Sequence, residues 1–200
     1  MPTGVRILDA REQLFDAAER VLLRDGPSAL TSRAVTTEAG CAKGVLHRHF
    51  ADFDAFLAEL AQDRIARIED QAAALRDSAG TGTVTDNLAG ALTALFGPVT
   101  VAIIPLITFR DDLRARLRQA RPAGGVPVLA EAIAGIASYL TIELAMGRIA
   151  ADADVNALAH ALVGAGHLLF AGREGTPPPV DAFHDVVSAV MADAVQRRLL

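Results

Sequence analysis

The sequence predicts an all-α fold of about nine helices. Three observations carry that reading. Apolar residues recur at helical spacing along most of the chain, glycine and proline cluster between those stretches, and no stretch of useful length alternates apolar with polar residues. Hydrophobic residues make up 52% of the 200, enough for a packed core and too many for a disordered chain. The length suits one domain, or a small domain joined to a larger one.

The first helix lies in "DAREQLFDAAERVLLRDG", where Leu14, Ala18, Val21 and Leu22 follow the i, i+4, i+7, i+8 pattern with Phe15 beside them. Gly26 and Pro27 end it. Thr31 caps a short helix over "SRAVTTEA", which Gly40 terminates, and another short helix spans about 42–50. The Ala39-Gly40-Cys41 junction is too tight for these two to lie antiparallel, so they form a helix-turn-helix. Further helices are expected over 54–76, 84–96, 99–119 and 128–150, with loops at 77–83 and 121–127. Asp152 or Asp154 caps the next helix, to about Ala171, and Asp181 caps the last, to about Arg197, after the loop 172–180. This organisation gives a helix-turn-helix domain of three helices at 1–53 and a larger helical domain at 54–200.

Charge is distributed unevenly. The chain carries a formal net charge of −5, so contact with nucleic acid must come from a local patch. Of its 19 basic residues the only lysine is Lys43, in "CAKGVLHRHF" (41–50). Residues 31–50 hold Arg33, Lys43 and Arg48 against Glu38 alone, a local +2, whereas residues 1–60 as a whole have seven basic and nine acidic residues. Lys43 is placed in the first turn of its helix, where a cation opposes the helix dipole, so it serves a partner better than it serves the helix. Gly44 adds no side chain and lets a partner approach the backbone closely. A positive patch confined to a helix-turn-helix suits a recognition helix in a DNA major groove.

Other chemistry is weakly represented. His47 and His49 lie about 200° apart on a helix and cannot chelate one ion. The single cysteine, Cys41, excludes an intrachain disulfide and fits a reducing compartment, the cytoplasm. Cys41 reads as a small buried residue, with a thiol switch beside Lys43 as the alternative. The 23 uncharged residues Asn87–Phe109 could span a bilayer by length, but Gly97-Pro98, Pro105 and four polar residues interrupt them, so a soluble helical core is expected and no membrane partner. No nucleophile elbow, metal cluster or phosphate loop is present in the sequence, and no catalytic group, cofactor or resident metal is expected.

The larger domain holds candidate small-molecule ligands. Asn156, His160 and His167 fall on one face of an otherwise apolar helix, and Tyr139, Glu143 and Met146 share another face. Ile103 and Phe109 with their neighbours would line an apolar pocket. The expected ligand-binding set is therefore Ile103, Phe109, Tyr139, Glu143, His160 and His167, for an apolar or amphipathic molecule. The last two helices pair a small-residue run, "ALAHALVGAGHLLFAG", with an apolar face of Phe183, Val186, Val187, Val190, Ala194 and Val195. They can supply half of an intermolecular four-helix bundle, or pack within the chain.

The segment from about 11 to 56 resembles the DNA-binding domain of the tetracycline-repressor (TetR) family. Phe15, Ala17, Ala18, Gly26, Thr31, Arg33, Val35, Ala39, Gly40, Lys43, Gly44, Leu46, His49 and Phe50 agree in one register. The resemblance implies that Lys43 and Gly44 meet bases and phosphate, that His47, Arg48 and His49 face the groove or its walls, and that Thr31 and Arg33 touch the DNA backbone. It also implies packing of Leu46, Phe50, Val35 and Ala39, and a homodimer through the last two helices on a palindromic double-stranded operator. Three departures stand out: His47 where the family has tyrosine, Ala42 where it has a serine cap, and Phe53-Asp54 where it has a phosphate-contacting lysine. Fewer phosphate contacts are expected as a result. The reading is a ligand-responsive transcriptional regulator, most simply a repressor released by a small molecule. The alternatives are a helical small-molecule-binding protein with degenerate DNA binding, and an enzyme with His160 or His167 as general base.

Overall fold

The computed structural model describes residues 10–120, 125–170, 178–179 and 181–196; most of the predicted loop at 172–180 and most of the linker at 121–127 lie outside them. Among the described residues there are ten α-helices and no strand. They are α1 (Ala10–Asp25), α2 (Ser32–Glu38), α3 (Gly44–His49), α4 (Phe53–Asp77), α5 (Val84–Leu95), α6 (Pro98–Thr108), α7 (Asp111–Ala120), α8 (Pro127–Ala145), α9 (Val155–Phe170) and α10 (Ala182–Gln196). A single 3-10 turn, Pro27–Ala29, links α1 to α2.

Local chemistry sets most boundaries. The Thr31 hydroxyl accepts from the Ala34 amide at 3.1 Å and the Thr83 hydroxyl from the Asp86 amide at 3.0 Å, capping α2 and α5. Asp52 accepts from the Ala55 amide at 2.6 Å at the start of α4. Asp154, of the two candidates, caps α9, accepting from Asn156 and Ala157. Gly26 and Gly40 take the left-handed conformation, φ 80° and 65°, that ends α1 and α2.

Three boundaries differ from the sequence expectation. The helix expected over 99–119 is two, which makes ten helices rather than nine. Asp111 and Asp112 favour a helix N-terminus, and Arg114 Nη1 donates to the Thr108 carbonyl at 3.0 Å, closing α6 behind it. The helix expected over 128–150 stops at Ala145, because Gly147 turns left-handed at φ 67° and its amide bonds back to Leu144 at 2.9 Å. Lys43 flanks α3 rather than lying in its first turn, and no side chain caps that helix.

The described chain forms two compact units. One contains residues 10–62 and 102–120; the other contains 63–101 and the described residues from 125 onward. Helix α4 is continuous from Phe53 to Asp77, and the segment ending in α7 folds with the N-terminal helices. In the first unit Leu14, Val21, Val35, Leu46, Phe56, Leu113 and Leu117 are buried. Phe50 packs edge-on against Phe56 at 5.0 Å between ring centroids, with Phe15 5.9 Å away, anchoring the end of α3. In the second unit α8 packs on α9, and α10 packs on α5 and α9 through Phe183, Val187, Met191 and Ala194. Helix α8 is long and apolar enough to cross a membrane by length and composition, yet it carries the fully buried Glu143 and contributes core residues along its length.

Capping by Thr83 is local and leaves the rest of the chain untouched. Thr83→Ala should lower unfolding free energy by about 1 kcal/mol, read as a reduced urea midpoint at unchanged slope.

Candidate nucleic-acid interface and ligand cavity

Helices α2 and α3 bury one side and expose another. Val35, Thr36, Leu46 and Phe50 are buried, and Ala39 is half-buried. Thr31, Arg33, Lys43, Gly44, His47, Arg48 and His49 are all exposed, so every residue assigned to DNA from the sequence is on the surface. Among the described residues, no hydrogen bond or ion pair engages the side chains of Arg33, Lys43 or Arg48.

Five acidic residues of the same unit are treated differently. Glu38 is held by Arg20 and Arg24, each at 2.8 Å, and those contacts keep its carboxyl below the usual range, Arg20 first. Asp25 pairs with Arg24 at 2.9 Å, and Glu59 pairs with Arg11. Asp52 is bound by Arg116 at 2.7 Å and Asp54 by Arg110 at 3.5 Å. The Ala55 amide first, then Arg116, lowers the Asp52 carboxyl below its ordinary value. Arginines outside α2 and α3 thus neutralise carboxylates while the cations of the helix-turn-helix stay available. Each exposed pair is worth little alone; their effect here is on the sign of the local field.

Two further details bear on the interface. Arg11 lies 4.6 Å over the Phe50 ring and donates to the His49 carbonyl at 3.3 Å, holding the end of α3 against α1. A Cβ built at Gly44 would meet nothing within 4 Å, and its φ is not positive. Glycine at a helix start costs helix stability relative to alanine, and neither packing nor conformation within this chain requires it. The half-buried Cys41 borders a surface groove also lined by Gln13, Arg48 and His49.

The six residues expected to bind a small molecule are not brought into one cavity. Ile103 is buried and Phe109 is 85% exposed, both in the first unit. Tyr139 and Glu143 are fully buried in the second unit, one helical turn apart on α8. Asn87 donates to the Tyr139 hydroxyl at 3.1 Å, and Glu143 accepts from the Gly80 amide at 3.2 Å and faces Arg148 at 3.3 Å. These contacts pin the turn before α5 onto α8. His160 is exposed, with Nδ1 2.7 Å from the Asn156 carbonyl, beside a shallow apolar groove formed by α8 and α9. His167 is half-buried near Phe96, 6.2 Å between ring centres.

A different apolar cavity opens in the second unit, lined by α4, α5 and α8 through Ile68, Gln71, Ala72, Leu95, Gly135 and Ile136. Its volume is about 20 Å³, and its only polar side chain is Gln71. Sequence reasoning missed it. The signal available was the spacing of Ala132 and Gly135 on one face of α8, where small residues let another helix come close. A Cβ on Gly135 would lie 2.5 Å from the Ala72 Cβ.

Residues 14–60 match the family described as bacterial regulatory proteins, tetR family. No curated protein is similar to the chain. Among solved structures the chain is similar to reduced Escherichia coli NemR (17% identity, TM-score 0.71, covering 93% of this chain and 97% of that one). It is also similar to Bacillus subtilis FadR in complex with stearoyl-CoA (15%, 0.69, 91% and 98%), and to a TetR-family transcriptional regulator from Agrobacterium tumefaciens (13%, 0.67, 92% and 97%). At these identities the likeness is one of fold. The match to the tetR-family model covers the helix-turn-helix, and the fold of the whole chain is the one these solved structures share.

Burial first, then the nearby Glu143 carboxylate, push the Tyr139 hydroxyl well above its ordinary value. Tyr139 is the only tyrosine and there is no tryptophan, so its ionisation can be followed alone. A raised folded-state value favours the folded protein below the unfolded value of about 10, and that contribution is lost as pH rises further. In an ultraviolet titration Tyr139 should remain neutral at pH 11 and ionise together with alkaline unfolding. In Glu143→Gln it should ionise at lower pH.

Proposed function

We propose that this chain is a cytoplasmic, ligand-responsive transcriptional repressor that acts as a homodimer on a palindromic double-stranded operator. The observation that carries the reading is the outward face of α2 and α3, where Arg33, Lys43 and Arg48 are unpaired while Glu38, Asp52 and Asp54 are each held by arginine. Lys43, Arg48, His47 and His49 would enter the major groove, and Thr31 and Arg33 would meet phosphate. Gly44 would let the start of α3 come against the duplex. Asp54 offers no phosphate contact, but with Arg110 beside it, it repels the duplex less than a free carboxylate would.

The effector would bind in the second unit at the cavity lined by α4, α5 and α8. Tyr139 and Glu143 would brace the α8 wall, rather than touch the molecule. The stearoyl-CoA held by the Bacillus subtilis FadR structure supports a small-molecule role for this fold. Because α4 runs unbroken from Phe53 to Asp77, a ligand that moves its second half would act on its first half through the helix itself. A coupling of ~1–3 kcal/mol would change DNA affinity about 5- to 150-fold. Dimerisation would use α9 and α10. Along α9 the exposed Ala157, Ala161, Gly164 and Leu168 recur at helical spacing, with Leu168 70% exposed.

Fluorescence anisotropy with DNA from upstream of the chain's own gene, against a random duplex, tests the DNA reading. The upstream duplex should bind at least ~10³-fold tighter. Lys43→Ala should remove that preference and reduce the salt slope by about 1. Equal weak binding of both duplexes, persisting after selection from random sequences, would leave only a helical small-molecule-binding protein.

Gly44→Ala separates interface from fold. Stability should hold or rise by about 0.5–1 kcal/mol, while operator affinity falls at least tenfold. If affinity is unchanged, close backbone approach is wrong.

Leu168→Arg should convert a dimer to a monomer in sedimentation analysis and weaken operator binding with no change in helicity. A variant that stays dimeric would move the interface off α9.

A further inference from the structure

The cavity lined by α4, α5 and α8 has one polar wall atom without a partner. Gln71 Nε2 lies 3.5 Å from the Ala94 carbonyl, a contact that orients the amide. Its Oε1 is buried and accepts no hydrogen bond. The remaining wall is hydrocarbon, and no charged side chain lines the cavity. A buried carbonyl oxygen without a donor is unfavourable, and a carbonyl can only accept. The complementary group is therefore a hydrogen-bond donor. An ammonium would lose its hydration with no counter-charge on the wall, which leaves a neutral donor.

Size narrows the class further. About 20 Å³ admits a group the size of a hydroxyl and little more. The rest of a ligand must lie between α4 and α8, which touch where Ala72 faces Gly135. Only a slender chain enters there without displacing large side chains, because Ala72, Ala91, Ala132 and Gly135 supply much of the wall.

We propose, resting on the effector reading above, that this cavity selects slender neutral molecules of the alkanol class, with the hydroxyl donating to Gln71 Oε1 and the hydrocarbon parting α4 from α8. Selection comes from the donor, since an ether of the same size leaves the carbonyl unpaired. Widening at Ala72 and Gly135 places the perturbation on the long helix that continues toward the helix-turn-helix in sequence.

The test uses two isomers, 1-hexanol and methyl pentyl ether, titrated into the full-length chain and followed by amide chemical shifts. Wild type should bind 1-hexanol about tenfold tighter than the ether. Gln71→Leu should bind both within about twofold, and should fold at least as stably as wild type because the orphaned oxygen is gone. Gln71→Met provides the same comparison if the leucine variant is insoluble. Equal binding of the isomers by wild type, or a preference that survives in Gln71→Leu, overturns the donor assignment while leaving the cavity as an effector site. Binding of neither isomer by a chain that still binds its operator overturns both the class and the cavity. Ala72→Leu, which fills the entry, should abolish binding of both; retained binding would put the ligand elsewhere.

Discussion

A surface proposed to meet a polyanion, on a chain with net charge −5, depends on neutralising carboxylates close to it. In this protein the constraint is met by geometry. Glu38 lies on the same short helix as Arg33, and Arg20 and Arg24 of α1 occupy it. Asp52 and Asp54, just past α3, are occupied by Arg116 and Arg110, more than fifty residues later. With those partners removed, the acidic residues would surround the three free cations of the helix-turn-helix. The fold of the first unit, which gathers 102–120 beside 10–62, brings the distant arginines into place.

The second unit faces the opposite constraint, polarity inside an apolar bundle. The Tyr139 hydroxyl accepts from Asn87, and Glu143 accepts from the Gly80 amide in the turn before α5 and faces Arg148. These contacts tie the turn before α5 to α8. Gln71 is the contrast: one side of its amide is engaged and the other is not. Small residues decide where a ligand could enter. At Gly135 the missing Cβ lets α8 touch α4, and at Gly44 the missing Cβ has no counterpart inside the chain.

The helices and their ends were legible because their causes are local. Thr31 and Asp154 cap as their positions suggest, and Gly26 and Gly40 terminate as φ-permissive residues do. The exposed set on α2 and α3 was legible because helical period alone separates Leu46 from His47 and Arg48. The split of α6 from α7 was written locally too, in Asp111-Asp112, but an apolar run passing into an amphipathic one hides a break of two residues.

The sequence by itself determined an all-α chain, a cationic helix-turn-helix and the family resemblance it carries, since each rests on residues within one or two helical turns of each other. Tertiary structure alone decided which carboxylates are silenced, that Tyr139 meets Asn87 and Glu143 meets the Gly80 amide, and that Gln71 looks into a cavity between three helices. Those facts join residues 64 apart, as in Asp52–Arg116, or 52 apart, as in Asn87–Tyr139. Helical periodicity gives the face a residue occupies but carries no information about which other face it will meet.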